Sequence, residues 1–95
     1  MRNTEIKTYR LIIKGKVQNV GFRYWFFQEA VNLNLNGYVK NLYNTNEVES
    51  FVQGESNKIT DIIEKSKKGP KLAKVEKIIS KQIKTNTIYN DFLIN

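Results

Sequence analysis

From Lys7 to Lys14, the apolar residues Tyr9, Leu11 and Ile13 stand at every second position and alternate with Arg10, Ile12 and Lys14. This period of two predicts a β-strand with one buried face. From Phe22 the period changes, because the apolar residues now stand four, four and three positions apart: Phe22, Phe26, Ala30 and Leu33. That spacing is typical of an amphipathic helix, and we expect its apolar stripe to face the sheet.

The following segment predicts a β-hairpin. Asn36-Gly37 supplies a stop for the helix, and the residues from Tyr38 to Leu42 and from Val48 to Gln53 read as two strands. The polar turn Tyr43-Asn44-Thr45-Asn46 joins them.

The second half of the chain predicts another helix and two further extended segments. Ser56 or Asn57 can cap the helix, its apolar positions are Ile59, Ile62 and Ile63, and Gly69-Pro70 ends it. Val75 to Lys81 alternates as a strand. Thr87 to Ile94 is a last extended segment, with the apolar residues Ile88, Tyr89, Phe92 and Ile94.

The predicted order is strand, helix, strand, strand, helix, strand, followed by a short additional C-terminal strand. It indicates an α+β, ferredoxin-like βαββαβ sandwich in which an antiparallel sheet carries both helices on one face. A chain of 95 residues has the size of one compact domain, so we expect residues 1–95 to form a single domain.

Composition narrows the available chemistry. The chain has neither cysteine nor histidine, which excludes disulfides, thiolate nucleophiles and histidine ligands, and its nine acidic residues show no metal-ligand spacing. We therefore expect no metal and no cofactor.

No apolar run approaches the ~20 residues that span a bilayer, and Met1 is followed by no apolar signal region. We expect a cytoplasmic monomer without a membrane partner.

The net charge of +7 favours anionic ligands, although charge alone does not choose among phosphorylated metabolites, nucleic acid and membranes. The short cluster Lys65, Lys67, Lys68 and Lys71 is interpreted as a solvated helix end and receives no functional role.

The loop between the first strand and the first helix is the main candidate site. Gly15, Asn19 and Gly21 tolerate positive φ, so the loop can turn successive backbone N–H groups inward to form an anion nest. The following helix adds free N–H groups and the positive end of its dipole. Arg23 lies in its first turn, and a guanidinium is a planar, permanently charged partner for phosphate oxygens. On spacing alone, a tight turn followed by a surface arginine is the favoured interpretation, and the loop only suggests a phosphate site.

The stretch from Gly15 to Arg23 resembles the signature G-x-V-Q-G-V-x-F-R of the acylphosphatase family. It matches at Gly15, Val17, Gln18, Val20, Phe22 and Arg23 and departs at Asn19, where the family usually has glycine. Three later stretches also resemble the family: Gly37 to Asn41, Gly69 to Val75 and Tyr89 to Ile94. One residue is added in the turn after Asn41, and Asn46 replaces a usual glycine.

The resemblance implies metal-independent hydrolysis of the carboxyl–phosphate bond of acyl phosphates, with inorganic phosphate as a product. It implies that Arg23 holds the phosphate together with the loop residues Gln18, Asn19, Val20, Gly21 and Phe22. It also implies that Asn41 orients the attacking water. Because the added turn residue lies after Asn41, we expect it to leave the strand register of Asn41 unchanged.

The sequence is less consistent with two other functions. Ferredoxin-like domains with basic surfaces can bind RNA through aromatic residues on the sheet, but the stretch from Glu47 to Gln53 has two acidic residues and one aromatic, so no nucleic-acid partner is expected. An acylphosphatase-like regulatory module, as found at the start of some larger hydrogenase-maturation proteins, is disfavoured by a 95-residue chain that carries both Arg23 and Asn41.

Within the aromatic run from Tyr24 to Phe27, Phe26 is expected in the core with Phe22, whereas Tyr24 or Trp25 borders the site or faces solvent.

Overall fold

The structure is a computed structural model that describes residues 5–95, so the expectation about the segment following Met1 lies outside the described residues. The elements in chain order are β1 (Ile6–Lys16), α1 (Phe22–Asn32), β2 (Asn36–Leu42), β3 (Glu47–Glu55), α2 (Ser56–Ser66), β4 (Lys74–Gln82) and β5 (Phe92–Ile94). This is the predicted order. Within residues 5–95, neither helix is long and apolar enough to cross a membrane.

The five strands form one sheet in the order β4-β1-β3-β2-β5. The pairs β1–β3, β1–β4 and β2–β3 are antiparallel, whereas β5 runs parallel to β2. The ferredoxin-like α+β arrangement is confirmed, with the difference that the added C-terminal strand makes the sheet mixed. The core lies between one sheet face and the helices and contains Leu11, Ile13, Val39, Val48 and Val52 from the strands and Phe22, Phe26, Ala30, Ile59 and Ile62 from the helices.

The predicted stop of α1 was wrong. The helix ends at Asn32, and the chain reverses through Asn34, which adopts the left-handed conformation with φ 59°. Asn36 and Gly37 already belong to β2. Gly37 is required for another reason: a Cβ at this position would collide with the backbone oxygen of Phe51 on the adjacent strand β3.

The predicted cap of α2 was also wrong. Ser56 is the first residue of the helix, and Glu55 occupies the N-cap position without a side-chain cap hydrogen bond. The Ser56 backbone N–H instead donates to the backbone oxygen of Glu5, at 3.0 Å. A contact with the beginning of the chain therefore satisfies a helix donor that a local cap would otherwise satisfy.

The last extended segment is shorter than predicted, because only Phe92–Ile94 forms a strand. Residues 83–91 cross the end of the sheet from edge strand β4 to edge strand β5, and Ile88 in this segment is 77% exposed. Side chains of two central strands hold the crossing chain. Asn36 Nδ2 donates to Tyr89 O at 3.0 Å, Gln53 Nε2 donates to Thr87 O at 2.8 Å, and Gln53 Oε1 accepts from the Tyr89 N–H at 2.9 Å.

Replacement of Gln53 by alanine tests whether these contacts stabilise the crossing segment. Gln53→Ala removes both hydrogen bonds to the segment and the bond to Thr8 Oγ1. We expect the free energy of unfolding, measured by urea denaturation, to fall by about 1–2 kcal/mol. Gln82→Ala on β4 is the matched control, because Gln82 is exposed, and it should change the value by less than about 0.5 kcal/mol. Equal effects of the two substitutions would contradict this role of Gln53.

Candidate functional site

Three segments meet at one end of the sheet because β1, β2 and β5 all run in the same direction. They are the loop that follows β1, the last residues of β2, and the chain at the end of β5. Between them lies a cavity of about 340 Å³. It is lined by Val17, Asn19, Gly21, Phe22, Arg23, Tyr24, Asn41 and Ile94.

The loop has the backbone conformation that its residues predict. Asn19 and Gly21 have φ values of 61° and 78°, so asparagine takes the left-handed conformation at the position where it departs from the signature. Gly15 was predicted to begin the loop, but it lies within β1, where it has a φ of 129° at an irregularity in the pairing with β4. A Cβ built on Gly21 would meet no atom within 4 Å, which leaves this part of the backbone open. Among the described residues, the backbone N–H groups from Asn19 to Phe22 donate no hydrogen bond to protein. These free N–H groups and the beginning of α1 form a positive concavity suited to an anion.

Arg23 places its guanidinium at this concavity. It lies in the first turn of α1, and its Nη1 donates to the backbone oxygen of Asn95 at 2.7 Å. That bond joins the helix to the end of β5 and limits the positions available to the side chain. A guanidinium carries five N–H donors, so the bond to Asn95 leaves several for a ligand.

Asn41 provides an acceptor on the opposite, strand-derived wall. It pairs with Val48 and lies two residues after buried Val39, so its side chain points to the helix-covered face. Its register is therefore intact despite the added turn residue. Asn41 Oδ1 is buried and has no hydrogen-bond partner among residues 5–95. A buried acceptor without a partner costs free energy, and a donor such as water would satisfy it.

The cavity brings together Asn19, Gly21, Phe22, Arg23 and Asn41 of the predicted site residues. Gln18 and Val20 do not line it. Val20 packs partly buried against the core, and the Gln18 side chain points to the hairpin. Sequence reasoning did not include Ile94 and Asn95, since the local sequence contains no signal that β5 would end beside Arg23.

Gln18 connects the loop to the hairpin that carries Asn41. Its Nε2 donates to Leu42 O at 3.2 Å and to Glu47 O at 3.0 Å, which are the residues on either side of the turn. Lys14 Nζ makes a second connection with Glu47 Oε2 at 3.1 Å. The hydrogen bond from Lys14 lowers the pKa of the Glu47 carboxyl. Both contacts hold the turn against the end of β1.

The helix-free face of the sheet presents aromatic and basic side chains that are paired with one another. The rings of Tyr38 and Phe51 stack at 5.3 Å with an interplanar angle of 25°. Glu49 bonds Arg10 Nε at 2.7 Å and Tyr38 Oη at 3.2 Å, and it lies 3.9 Å from Lys40 Nζ. Burial, followed by the neighbouring Glu49 charge, raises the pKa of Tyr38 to about 12.

Comparisons with known proteins give a consistent result. The family model described as Acylphosphatase matches residues 9–94. The acylphosphatase of Bacillus pumilus is 38% identical over 90% of this chain and 94% of its own length. The solved structure of an acylphosphatase from Coxiella burnetii has a TM-score of 0.90 at 32% identity and covers 95% of this chain and 93% of that one. T. kodakarensis HypF has a TM-score of 0.82 at 36% identity, and the match covers 94% of this chain but 12% of HypF.

Replacement of Gln18 by glutamate tests its contact with the turn. Gln18→Glu keeps the size of the side chain and removes the Nε2 donor that Leu42 O and Glu47 O share. We expect the free energy of unfolding to fall by about 1–2 kcal/mol in urea denaturation, because two carbonyls lose their donor. Gln28→Glu makes the same chemical change at an exposed helix position, and it should change the free energy of unfolding by less than about 0.5 kcal/mol. Wild-type stability of Gln18→Glu would show that the contact contributes nothing.

Proposed function

Because the chain belongs to the acylphosphatase family, we propose that it hydrolyses the carboxyl–phosphate bond of acyl phosphates to a carboxylate and inorganic phosphate. The observation that carries this proposal is the composition of one cavity. It combines the Arg23 guanidinium, a loop with free N–H groups, and the unpartnered acceptor Asn41 Oδ1. These groups match the two parts of the reaction, an anionic phosphoryl group and a neutral water.

The phosphoryl group would lie against the loop and the beginning of α1. In this proposal the backbone N–H groups of Asn19, Gly21 and Phe22, which line the cavity, donate to its oxygens, and Arg23 contributes the charged planar fork. The helix dipole adds to the attraction, because its positive end faces the same concavity. Charge-assisted bonds of this kind hold an anion in a defined orientation and stabilise charge that develops during the reaction.

Asn41 would hold the attacking water. Its side chain lines the cavity, and a carboxamide has both an acceptor oxygen and a donor NH₂ group with which to hold a water. The water oxygen forms a bond to phosphorus as the bond between phosphorus and the carboxyl oxygen breaks. The carboxylate leaves with the bonding electron pair, and the proton lost by water passes to the phosphate product or to solvent. The carboxylate is a good leaving group, so positioning and charge stabilisation suffice, without a metal ion or a covalent intermediate.

Hydrolysis of benzoyl phosphate by the purified protein in the presence of EDTA tests the proposed function. We expect cleavage of this anhydride, and no comparable cleavage of a phosphate monoester with a poorer leaving group. A folded protein that leaves benzoyl phosphate intact would overturn the proposal and favour a module that only binds anions. Cytoplasmic location, a monomeric state and the absence of nucleic-acid and membrane partners stay predictions of the sequence.

Substitution of Arg23 tests the phosphate-binding role. Arg23→Ala should reduce kcat/KM by at least about 1,000-fold, because the main charge opposite the developing phosphoryl charge is lost. Arg23→Lys keeps the positive charge and should remain severely impaired, since a lysine ammonium lacks the planar fork. Circular dichroism of each variant separates this effect from unfolding. Near-normal turnover in either variant would contradict the role.

Substitution of Asn41 tests the water-positioning role. Asn41→Ala should lower kcat by about 100-fold or more, because the attacking water is no longer positioned. The inhibition constant of inorganic phosphate should change by less than about threefold, because phosphate binding does not need that water. The free energy of unfolding should stay equal or rise by about 1 kcal/mol, since the substitution removes a buried acceptor without a partner. Parallel losses of phosphate binding, stability and turnover would indicate a structural role instead.

A further inference from the structure

Two exposed tyrosines border the proposed active site on different elements. Tyr24 lies on α1 directly after Arg23, lines the phosphate cavity and is 60% exposed. Tyr43 lies in the hairpin turn, is 73% exposed, and lines a separate depression together with Asn41, Leu42, Asn44 and Thr45. Neither ring belongs to the hydrophobic core. Both are therefore available to a substrate, and the proposed mechanism distinguishes between them.

Neighbouring side chains on the same helix hold the Tyr24 ring in place. It stacks on Phe27 with the ring centroids 6.3 Å apart and an interplanar angle of 23°. Its hydroxyl accepts a hydrogen bond from Gln28 Nε2 at 3.3 Å. A ring that is already oriented loses less conformational entropy when a ligand packs against it. For the Tyr43 ring, the described residues provide no aromatic partner of this kind.

The in-line geometry of phosphoryl transfer determines which wall of the cavity the acyl group contacts. This step of the argument rests on the proposed function. The attacking and leaving oxygens of a phosphoryl transfer lie roughly in line through phosphorus. Asn41 would hold the water, so the carboxylate departs on the side of phosphorus away from Asn41. The hairpin turn begins directly after Asn41 and belongs to the side of the water. The exposed apolar side chains on the other walls are Tyr24 and Ile94, which is 39% exposed.

We propose that Tyr24, together with Ile94, forms the subsite for the acyl group, and that the enzyme therefore prefers acyl phosphates whose acyl group is aromatic. A planar acyl group can stack on the Tyr24 ring while its phosphoryl group stays on Arg23, the preceding residue of α1. A small acyl group such as acetyl offers little surface to the ring. The predicted preference follows from apolar contact and ring stacking.

Comparison of benzoyl phosphate with acetyl phosphate tests the subsite. The quantity measured is the ratio of kcat/KM for benzoyl phosphate to that for acetyl phosphate. Tyr24→Ala should lower this ratio by roughly three- to tenfold, mainly through a higher KM for benzoyl phosphate, because a ring contact present in both ground and transition states is lost. Tyr24→Phe keeps the ring and should keep the ratio within about twofold of wild type. Tyr43→Ala is the matched control and should leave the ratio unchanged.

Three results would overturn the subsite. The first is an equal loss of kcat/KM for both substrates in Tyr24→Ala, which would indicate displacement of Arg23. The second is an unchanged ratio in a folded Tyr24→Ala protein. The third is a fall of the ratio in Tyr43→Ala, which would place the acyl group at the hairpin turn. A wild-type protein that hydrolyses neither anhydride would remove the proposed function itself, whereas these three results leave it standing.

Discussion

The position of the candidate site depends on how the apolar stripe of α1 packs against the sheet. Phe22 and Phe26 are almost fully buried, and the ring of Phe26 contacts that of Phe92 on β5 at a centroid distance of 5.9 Å. Phe22 is also the residue that precedes Arg23. Because close-packed core side chains have little freedom to move, this packing fixes the first turn of the helix. The guanidinium therefore reaches the end of β5 as a consequence of the core.

The site also depends on the path that the chain takes at the opposite end of the sheet. β5 can contribute to the site only if it runs parallel to β2, and a parallel partner must begin at the same end of the sheet. Residues 83–91 make that crossing without regular secondary structure, so side chains from the strands supply hydrogen bonds that a ladder would otherwise provide. Gln53 and Asn36 thus hold the segment that leads into β5, at the end of the sheet opposite the site.

The sequence predicted the features that depend on neighbouring residues. The change of period at Phe22 marked the start of α1, and the residues of the loop predicted its positive φ values, including that of Asn19. Contacts between distant segments could not be predicted in this way. Gln18 bonds to residues 24 and 29 positions away, and Arg23 bonds to Asn95 across 72 positions. Such pairs carry no local periodicity, so the direction of the Gln18 side chain and the contribution of β5 required the structure.

An unsatisfied buried atom is not by itself a sign of function. Ser66 Oγ on α2 is also buried without a hydrogen-bond partner among the described residues, yet it does not line the phosphate cavity. Asn41 differs because it lines the same cavity as Arg23 and as loop residues whose N–H groups have no acceptor within residues 5–95. Of these groups, the buried Asn41 Oδ1 lowers the stability of the fold while it lacks a partner, whereas the loop N–H groups of exposed Asn19 and Gly21 are open to solvent or to a ligand. A substrate phosphate with its attacking water would satisfy all of them at once, which is the physical reason to assign them one shared role.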